Sequence, residues 1–361
     1  MWRRMLAGFF AVLTVASFAK EKQMDENLKK ELVRLEREVL ATCGHPLNES
    51  TRHKNQRYAA EYFADWQDNV FGDFFAAHRA QFERGNGNEL SDSPAKMKSI
   101  FSSSAMTYNI LGNGEIRAKD SNCFFTQGAY TIEYEKKLLT VRSGKNAPAH
   151  LDAFLLNGTD AIFCEMKMIE WLRDNPGFLK HAYFEDTNFF SDVAEGSDAL
   201  AAFKALRDLL CAEMSKFKDD NGDDPHHFKR YDAWQMYKHI LGIYNMSSAA
   251  TKNEIAACQT DDIKMLPKLK KAVLVNVVFE PSAEVFSDSV RKAYCDARTV
   301  EHEEFSIFKK YVEKSGVIAV FKKDCGIDFS LELLTAAEFM DCFDLAGRAD
   351  YLQRYRLEKR S

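Results

Sequence analysis

The sequence lacks paired cysteines, and it has no marked excess of charge of either sign. Its eight cysteines are scattered singly, without a CxxC pair. Neither a disulfide framework nor a cysteine-based zinc site is therefore expected, and we expect reduced, buried thiols. With 49 Lys and Arg against 54 Asp and Glu, the net charge is −5. Any binding of nucleic acid would then have to come from a local basic patch, and not from overall charge.

Motifs of several common enzyme classes are also missing. The chain has no Walker A loop, no dinucleotide-binding fingerprint, no GxSxG elbow and no HExxH helix. It has no internal repeat. Its longest apolar run, near the N-terminus, is shorter than the roughly 20 residues that a transmembrane helix needs. The composition, 46% apolar and 29% charged, is that of a globular protein. Its 361 residues correspond to one large domain or two ordinary ones.

The first 23 residues allow two interpretations. Residues 1–19 have a basic start, an apolar run and a small-x-small end, which is the pattern of a secretory signal peptide. Alternatively, Met24 is the true start, and the preceding Lys20–Gln23 is a translated ribosome-binding site. The unpaired cysteines and the chemistry below favour the second interpretation and a cytoplasmic protein, with export as the alternative.

Hydrophobic periodicity predicts a mixed α/β chain. Helices are predicted at 25–42, 54–84, 95–111, 195–218, 228–247 and 283–315, with a helical C-terminal tail. Strands are predicted at Tyr130–Val141, Leu151–Leu156, Ala161–Met168, Ala272–Phe279 and Val317–Phe321. The aromatic stripe of the 54–84 segment is interpreted as core, and not as a platform for stacking bases.

Two acids and a lysine are brought together by a predicted hairpin. The Asn157–Asp160 segment is a good hairpin loop, so Leu156 should pair with Ala161. Antiparallel partners keep a constant sum of residue numbers, which puts Asp152 opposite Glu165 at about 5 Å. Lys167 lies two residues beyond Glu165 and shares its face.

Two opposed carboxylates destabilise a hairpin unless a cation lies between them. Hard oxygen ligands on a rigid sheet suit Mg²⁺ or Mn²⁺, and a lysine beside them can hold a water or a phosphate. Together these groups match phosphodiester hydrolysis. The plainer alternative is a surface hairpin with a cross-strand Lys–Glu pair. A third acid could come from the preceding strand, as Glu133 or Glu135.

The ordered motifs resemble the PD-(D/E)XK nuclease superfamily, in particular a bacterial subfamily with a restriction-endonuclease-like fold. Asp152 is similar to its first motif, although Leu151 stands where proline is usual, and Glu165-Met166-Lys167 matches its ExK motif. The 102–109 segment resembles that subfamily's serine-rich helix, and the segment from Trp234 to Gly242 resembles its glutamine/lysine helix. The resemblance covers about residues 54–280.

The resemblance implies an α/β fold with a mixed central sheet flanked by helices, to which an N-terminal helical segment is added. We expect the chain to be divided into a leader or mis-assigned start (1–23), an N-terminal helix and linker (24–53), the nuclease-like domain (54–345) and a charged C-terminal tail (346–361). It implies a Mg²⁺- or Mn²⁺-dependent nuclease acting on double-stranded DNA, with no membrane association and a homodimer as an open expectation. The implied catalytic residues are Asp152, Glu165, Lys167, Glu135 and Gln235, and the implied metal ligands are Asp152, Glu165 and Glu135. The alternatives are a catalytically silent member that binds nucleic acid or protein, and an exported protein of unknown role.

Overall fold

A six-stranded mixed β-sheet organises the molecule, and its strands lie across the sheet in the order of the sequence. In the computed structural model the strands are β1 (Glu115–Ala118), β2 (Gly128–Leu138), β3 (Ala149–Asn157), β4 (Asp160–Lys167), β5 (Lys271–Val278) and β6 (Asp328–Thr335). The first four strands pair antiparallel, and β5 and β6 continue the sheet in parallel with β4. The predicted α/β class with a mixed sheet is confirmed at this level.

Helices cover the sheet. The structure describes residues 26–44, 61–72, 76–85, 89–91, 95–119, 124–142, 148–172, 179–190, 193, 196–215, 228–249, 251–257, 263–345 and 347–358. The helices within these ranges are α1 (26–42), α2 (Ala76–Arg84), α3 (Ser103–Leu111), α4 (Asp198–Ser215), α5 (Ala233–Ser247), α6 (Lys252–Ala257), α7 (Asp288–Ser315), α8 (Val317–Val320), α9 (Ala336–Asp341) and α10 (Ala349–Leu352). Among them, no helix has both the length and the apolar composition needed to cross a bilayer.

The β3–β4 hairpin has the predicted register. Leu156 pairs with Ala161, and the ladder continues to the pair of Ala153 and Cys164. One more pair, Asn157 with Asp160, closes the hairpin, so the connection is shorter than the predicted four-residue loop. Gly158 supplies the positive φ of 60° that this tight turn requires.

Both faces of β4 are buried, each against a different set of helices. Ile162, Cys164 and Met166 face a first core cluster, which includes α1 and α3. Ala161 and Phe163, from the alternate positions, face a second core cluster, built by α4, α5 and the C-terminal half of α7. Glu165 and Lys167 continue the second series, so the strand's alternation directs them toward the α5 side of the sheet.

The predicted long helix at 54–84 is wrong over residues 61–72 and confirmed over residues 76–84, which form α2. Residues 61–72 form irregular chain with one short 3-10 helix, Trp66–Asn69, and a helix resumes only at α2. Asp65 caps the short helix, and the buried Asn69 side chain donates hydrogen bonds to the Met97 and Ser99 carbonyls. Gly72 has a φ of 76°. The apolar positions still enter the core, as expected: Phe63, Trp66, Val70 and Phe82 are buried.

The predicted strand at Val317–Phe321 is also wrong, because this segment is helical. Gly316, with a φ of 87°, ends α7, and the chain turns directly into α8. Val317, Val320 and Phe321 are buried, which is the i, i+3, i+4 spacing of a helix face. The last strand is instead β6, in a stretch that was predicted as helical tail, and β1 was not predicted at all.

The two ends of the described chain pack into the sheet's first core cluster. Leu28, Leu32 and Leu40 of α1 are buried there. Arg354, after α10, is fully buried and forms an ion pair with Glu36 of α1, with Nε 3.1 Å from Oε2. The N-terminal helix and the 347–358 segment are therefore continuous with the core of the α/β unit.

Candidate active site

Three predicted site carboxylates lie in one row across three neighbouring strands. In the β2–β3 register, Tyr134 pairs with Ala153 and Lys136 with Leu151, so Glu135 and Asp152 are opposed between these pairs. On the other side of β3, the β3–β4 ladder ends at the pair of Ala153 and Cys164, and Asp152 and Glu165 are the next residues beyond it in the same register. The structure therefore brings Glu135, Asp152 and Glu165 together along one line perpendicular to the strands.

The backbone is unusual at this row. Glu135 has a φ of 52°, a conformation that few residues other than glycine adopt. Tyr134 packs in the first core cluster, whereas Leu138 packs in the second, so the strand changes its core-facing side around Glu135. Strained residues of this kind concentrate at functional sites, because the surrounding structure must hold them there.

Glu135 and Glu133 have different surroundings. The Glu133 side chain is partly exposed and pairs with Lys136 at 2.9 Å. The Glu135 side chain is mostly buried, with Oε2 3.7 Å from His150 Nδ1, and its charge acts on Asp152. Glu135 is therefore the better placed of the two acids left open by the sequence.

Asp152 is held by the backbone of the neighbouring strand. Its Oδ2 accepts a hydrogen bond of 2.6 Å from the Met166 N–H. Burial raises the pKa of Asp152 well above its usual range, and the charges of Glu165 and Glu135 raise it further, while Lys167 opposes them. Without a cation, the cheapest way to relieve this crowding of negative charge is a proton on Asp152.

Glu165, Lys167 and Gln235 form a closed triangle of hydrogen bonds. Lys167 Nζ donates to Glu165 Oε1 at 2.7 Å and to Gln235 Oε1 at 2.7 Å. Gln235 Nε2 donates to the same Glu165 Oε1 at 2.8 Å. Two sequence motifs that are 68 residues apart, the ExK strand and the glutamine helix, thus meet side chain to side chain.

The charges of this triangle are strongly coupled. Burial alone would raise the pKa of Glu165, but Lys167 and then His239 outweigh it, and the pKa falls to about 2. Burial would lower the pKa of Lys167, but Glu165 and then Glu170 outweigh it, and the pKa rises above its usual value. Lys167 is therefore a firmly protonated ammonium, suited to donating hydrogen bonds and holding negative charge rather than to acting as a base.

Close packing of α5 on the sheet makes these contacts possible. Asp232 caps the helix by accepting from the Gln235 N–H at 2.9 Å. Gly242, two turns further along the same face, lies against β2, where an added Cβ would come within 2.6 Å of Leu138 Cβ. Any larger residue at 242 would move the helix outward, and the Gln235 amide with it.

Sequence reasoning left two residues of this neighbourhood unassigned. His239, one turn after Gln235, is fully buried with Nε2 3.0 Å from Glu165 Oε2. Asn276 of β5 is in register with Glu165, and its Oδ1 is buried with no partner in the described part of the chain. Asn276 is the one polar residue within the apolar run from Ala272 to Phe279, and that interruption was the available signal.

A cluster of basic residues before and at the start of β5, formed by Lys264, Lys268, Lys270 and Lys271, lies elsewhere. Lys271 is in register with Asp160 at the start of β4, whereas Lys167 is in register with Val278 at the other end. Seven residues of extended chain separate the two positions, which is about 20 Å. This cluster therefore does not contribute to the carboxylate row.

The donor set has the chemistry of a Mg²⁺ or Mn²⁺ site, since carboxylate oxygens are the ligands both ions accept. The crowding of negative charge at Asp152 is also what a bound cation would relieve. Within the described ranges, however, no three His, Cys, Asp or Glu side chains converge into a ready-made metal-binding group. An ion here would be bound mainly by Asp152 and Glu165, with Glu135 at the far side of the row.

Comparison with known proteins adds no assignment. No family model matches the chain, and no curated protein or solved structure matches it.

Proposed function

We propose that the protein is a Mg²⁺- or Mn²⁺-dependent endonuclease that hydrolyses phosphodiester bonds in double-stranded DNA. The observation that carries the proposal is the Glu165–Lys167–Gln235 triangle beside Asp152. A structural ion pair would need only the lysine and one acid. The second acid, which raises the cost of the arrangement, has a purpose if the row receives a cation and a phosphate.

Each residue of the site has a distinct role in this proposal. Asp152 and Glu165 hold the metal ion, and Glu135 adds negative charge from β2. A Mg²⁺ ion held by these residues would supply Lewis acidity at the phosphate and would make a water molecule easier to deprotonate. Two of the three N–H groups of the Lys167 ammonium are engaged by Glu165 and Gln235, and the third would donate to a phosphate oxygen as its charge increases. Gln235 fixes the direction of the Lys167 amine.

The proposal is tested by nicking of supercoiled plasmid with and without Mg²⁺. Lys167→Ala should lower the cutting rate at least about 100-fold, since electrostatic stabilisation of this kind contributes several kcal/mol. Lys271→Ala is the matched control, because it removes a lysine from the distant end of the adjacent strand. Circular dichroism and melting curves would establish that both variants are folded. Full cutting by the Lys167 variant would refute the assignment.

A catalytically silent protein that binds nucleic acid is the second candidate. It is favoured by the absence of a ready-made metal-binding group in the described ranges. It predicts a shift of labelled duplex DNA in a gel without Mg²⁺-dependent cutting. It also predicts that Lys167→Ala leaves that shift unchanged.

We further infer a cytoplasmic location, because a DNA substrate is found there. Residues 1–25, which contain the signal-like segment, lie outside the described residues. The intact mass of the natively expressed protein decides the matter. A species that begins at Lys20 would support export, and one that begins at Met24 would support the later start.

A further inference from the structure

We propose that His239 is a positioning residue that holds the Glu165 carboxylate in its metal-binding orientation. This inference rests on the proposed function, since it assigns the Glu165 oxygens to a cation. The contact itself is a feature of the chain and can be tested without cutting.

Among the described residues, His239 makes the only hydrogen-bond contact to the second oxygen of Glu165. Lys167 and Gln235 both donate to Oε1, and His239 Nε2 lies 3.0 Å from Oε2. Both side chains are buried, with 1% of His239 and 4% of Glu165 exposed. Solvent therefore cannot replace this contact easily.

The other nitrogen of His239 identifies the donor. Nδ1 is buried and has no hydrogen-bond partner in the part of the chain that the structure describes. An N–H at that position would be an unsatisfied buried donor, which is costly. The proton is better placed on Nε2, where the Glu165 carboxylate accepts it, so the ring donates a single directed hydrogen bond.

The orientation of Glu165 depends on this bond. With one oxygen held from the Lys167 and Gln235 side and the other from the His239 side, the carboxylate plane cannot rotate. Without His239, Oε2 is free, and the side chain can turn to give both oxygens to Lys167. A carboxylate that has turned in this way is lost to a metal ion, and loss of such supporting contacts typically costs 10- to 100-fold in metal affinity.

The helix gives His239 no freedom to compensate. His239 lies one turn before the Gly242 contact, where α5 is so close to Leu138 that a Cβ would not fit. Its ring is therefore fixed relative to the sheet by packing on both sides of the same helical face.

Two variants separate the hydrogen bond from the bulk of the side chain. In His239→Gln, the Gln Nε2 is as many bonds from Cα as the histidine Nε2 and can still donate to Glu165. In His239→Asn, the amide imitates Nδ1 instead and cannot reach Glu165. Both replacements are polar and uncharged, so they form a matched pair.

Mg²⁺ binding to each folded variant is measured by calorimetry, and the cutting rate is followed against Mg²⁺ concentration. We expect His239→Asn to weaken Mg²⁺ binding about 10- to 100-fold, with cutting recovering at high Mg²⁺. We expect His239→Gln to stay within about 3-fold of wild type, less than the 10-fold minimum for losing a supporting contact. Equal affinity of the two variants, whether both impaired or both normal, would overturn the proposal.

Nitrogen NMR of metal-free protein with ¹⁵N-labelled histidine tests the contact alone. The expected result is a proton on Nε2 of His239, in a signal that disappears in His239→Asn and shifts in Glu165→Gln. A proton on Nδ1 would overturn the proposal even if both variants failed to fold. If wild type neither binds Mg²⁺ nor cuts DNA, the nuclease proposal fails, and this spectrum still decides whether His239 holds Glu165.

Discussion

Asp152 lies between two other carboxylates, and its replacement by asparagine should stabilise the metal-free protein. Burial, then Glu165 and Glu135, raise its pKa well above the value of 3.8 that it has in an unfolded chain. Above pH 3.8 the unfolded chain has lost this proton, whereas the native state either retains it or accepts a costly buried charge. The free energy of unfolding therefore falls as pH rises from 3.8 toward the raised pKa of Asp152 in the native state.

The size of the effect follows from the contacts. A close cross-strand pair of like charges costs up to about 1 kcal/mol, and Asp152 has two such neighbours. Its burial adds to this cost, and the attraction of Lys167 offsets part of it. Asparagine keeps an oxygen for the Met166 N–H. We expect Asp152→Asn to raise the free energy of unfolding by about 1–2 kcal/mol at pH 8.5, and by progressively less toward pH 4.5.

Urea unfolding followed by circular dichroism, across that pH range and without divalent cations, measures the difference. Asp160→Asn is the matched control, because Asp160 lies at the turn of the same hairpin, away from the row. Adding Mg²⁺ at 100 times its dissociation constant should stabilise wild type by about 2.7 kcal/mol and the Asp152 variant far less. An Asp152 variant that is no more stable than wild type at pH 8.5 would refute the charge-crowding argument.

The same variant sharpens the functional test. Asp152→Asn should abolish Mg²⁺-dependent cutting while making the protein more stable, so lost activity could not be attributed to unfolding. Stability gained at the expense of function is what removal of a functional charge produces. A purely structural Asp152 would show the opposite, a loss of stability.

Two further predictions concern ion pairs away from the site. Arg354→Ala should destabilise the protein by about 3–5 kcal/mol in urea unfolding, because it leaves Glu36 buried without its partner, and a double replacement, Arg354→Met with Glu36→Leu, should recover much of that loss. A double variant with a free energy of unfolding no higher than that of Arg354→Ala would contradict this reasoning. Glu280 accepts a hydrogen bond from His302 and thereby raises the pKa of this half-exposed histidine. The His302–Glu280 pair contributes less than about 1 kcal/mol to the free energy of unfolding. This contribution is present below pH 6.5 and is lost as pH rises through the raised pKa of His302. Unfolding of Glu280→Gln should accordingly differ from wild type at pH 5.5 and not at pH 9.

The hairpin could be predicted because its information is local. A turn signal at Asn157–Asp160 fixes the register, and the register alone places Asp152 opposite Glu165. The conformation of Glu135 had no such signal, since a positive φ at a non-glycine residue depends on what surrounds it. The strand predicted at Val317–Phe321 was wrong for a related reason. A short apolar run suits a strand and a buried helix equally, and only its packing partner decides between them.

The candidate site shows how far local information reaches. Asp152 and Glu165 come from two strands joined by a hairpin, so one register brings them together and the sequence reveals them. The site's amide and imidazole come from α5, whose position depends on the fit of Gly242 against Leu138, a contact between segments more than 100 residues apart. The i, i+4, i+7 spacing of Gln235, His239 and Gly242 places them on one helix face, but it cannot say that this face lies over Glu165. The glycine is the link: because it lets the helix approach, Gln235 and His239 reach opposite oxygens of one carboxylate, and an acidic row becomes an organised site.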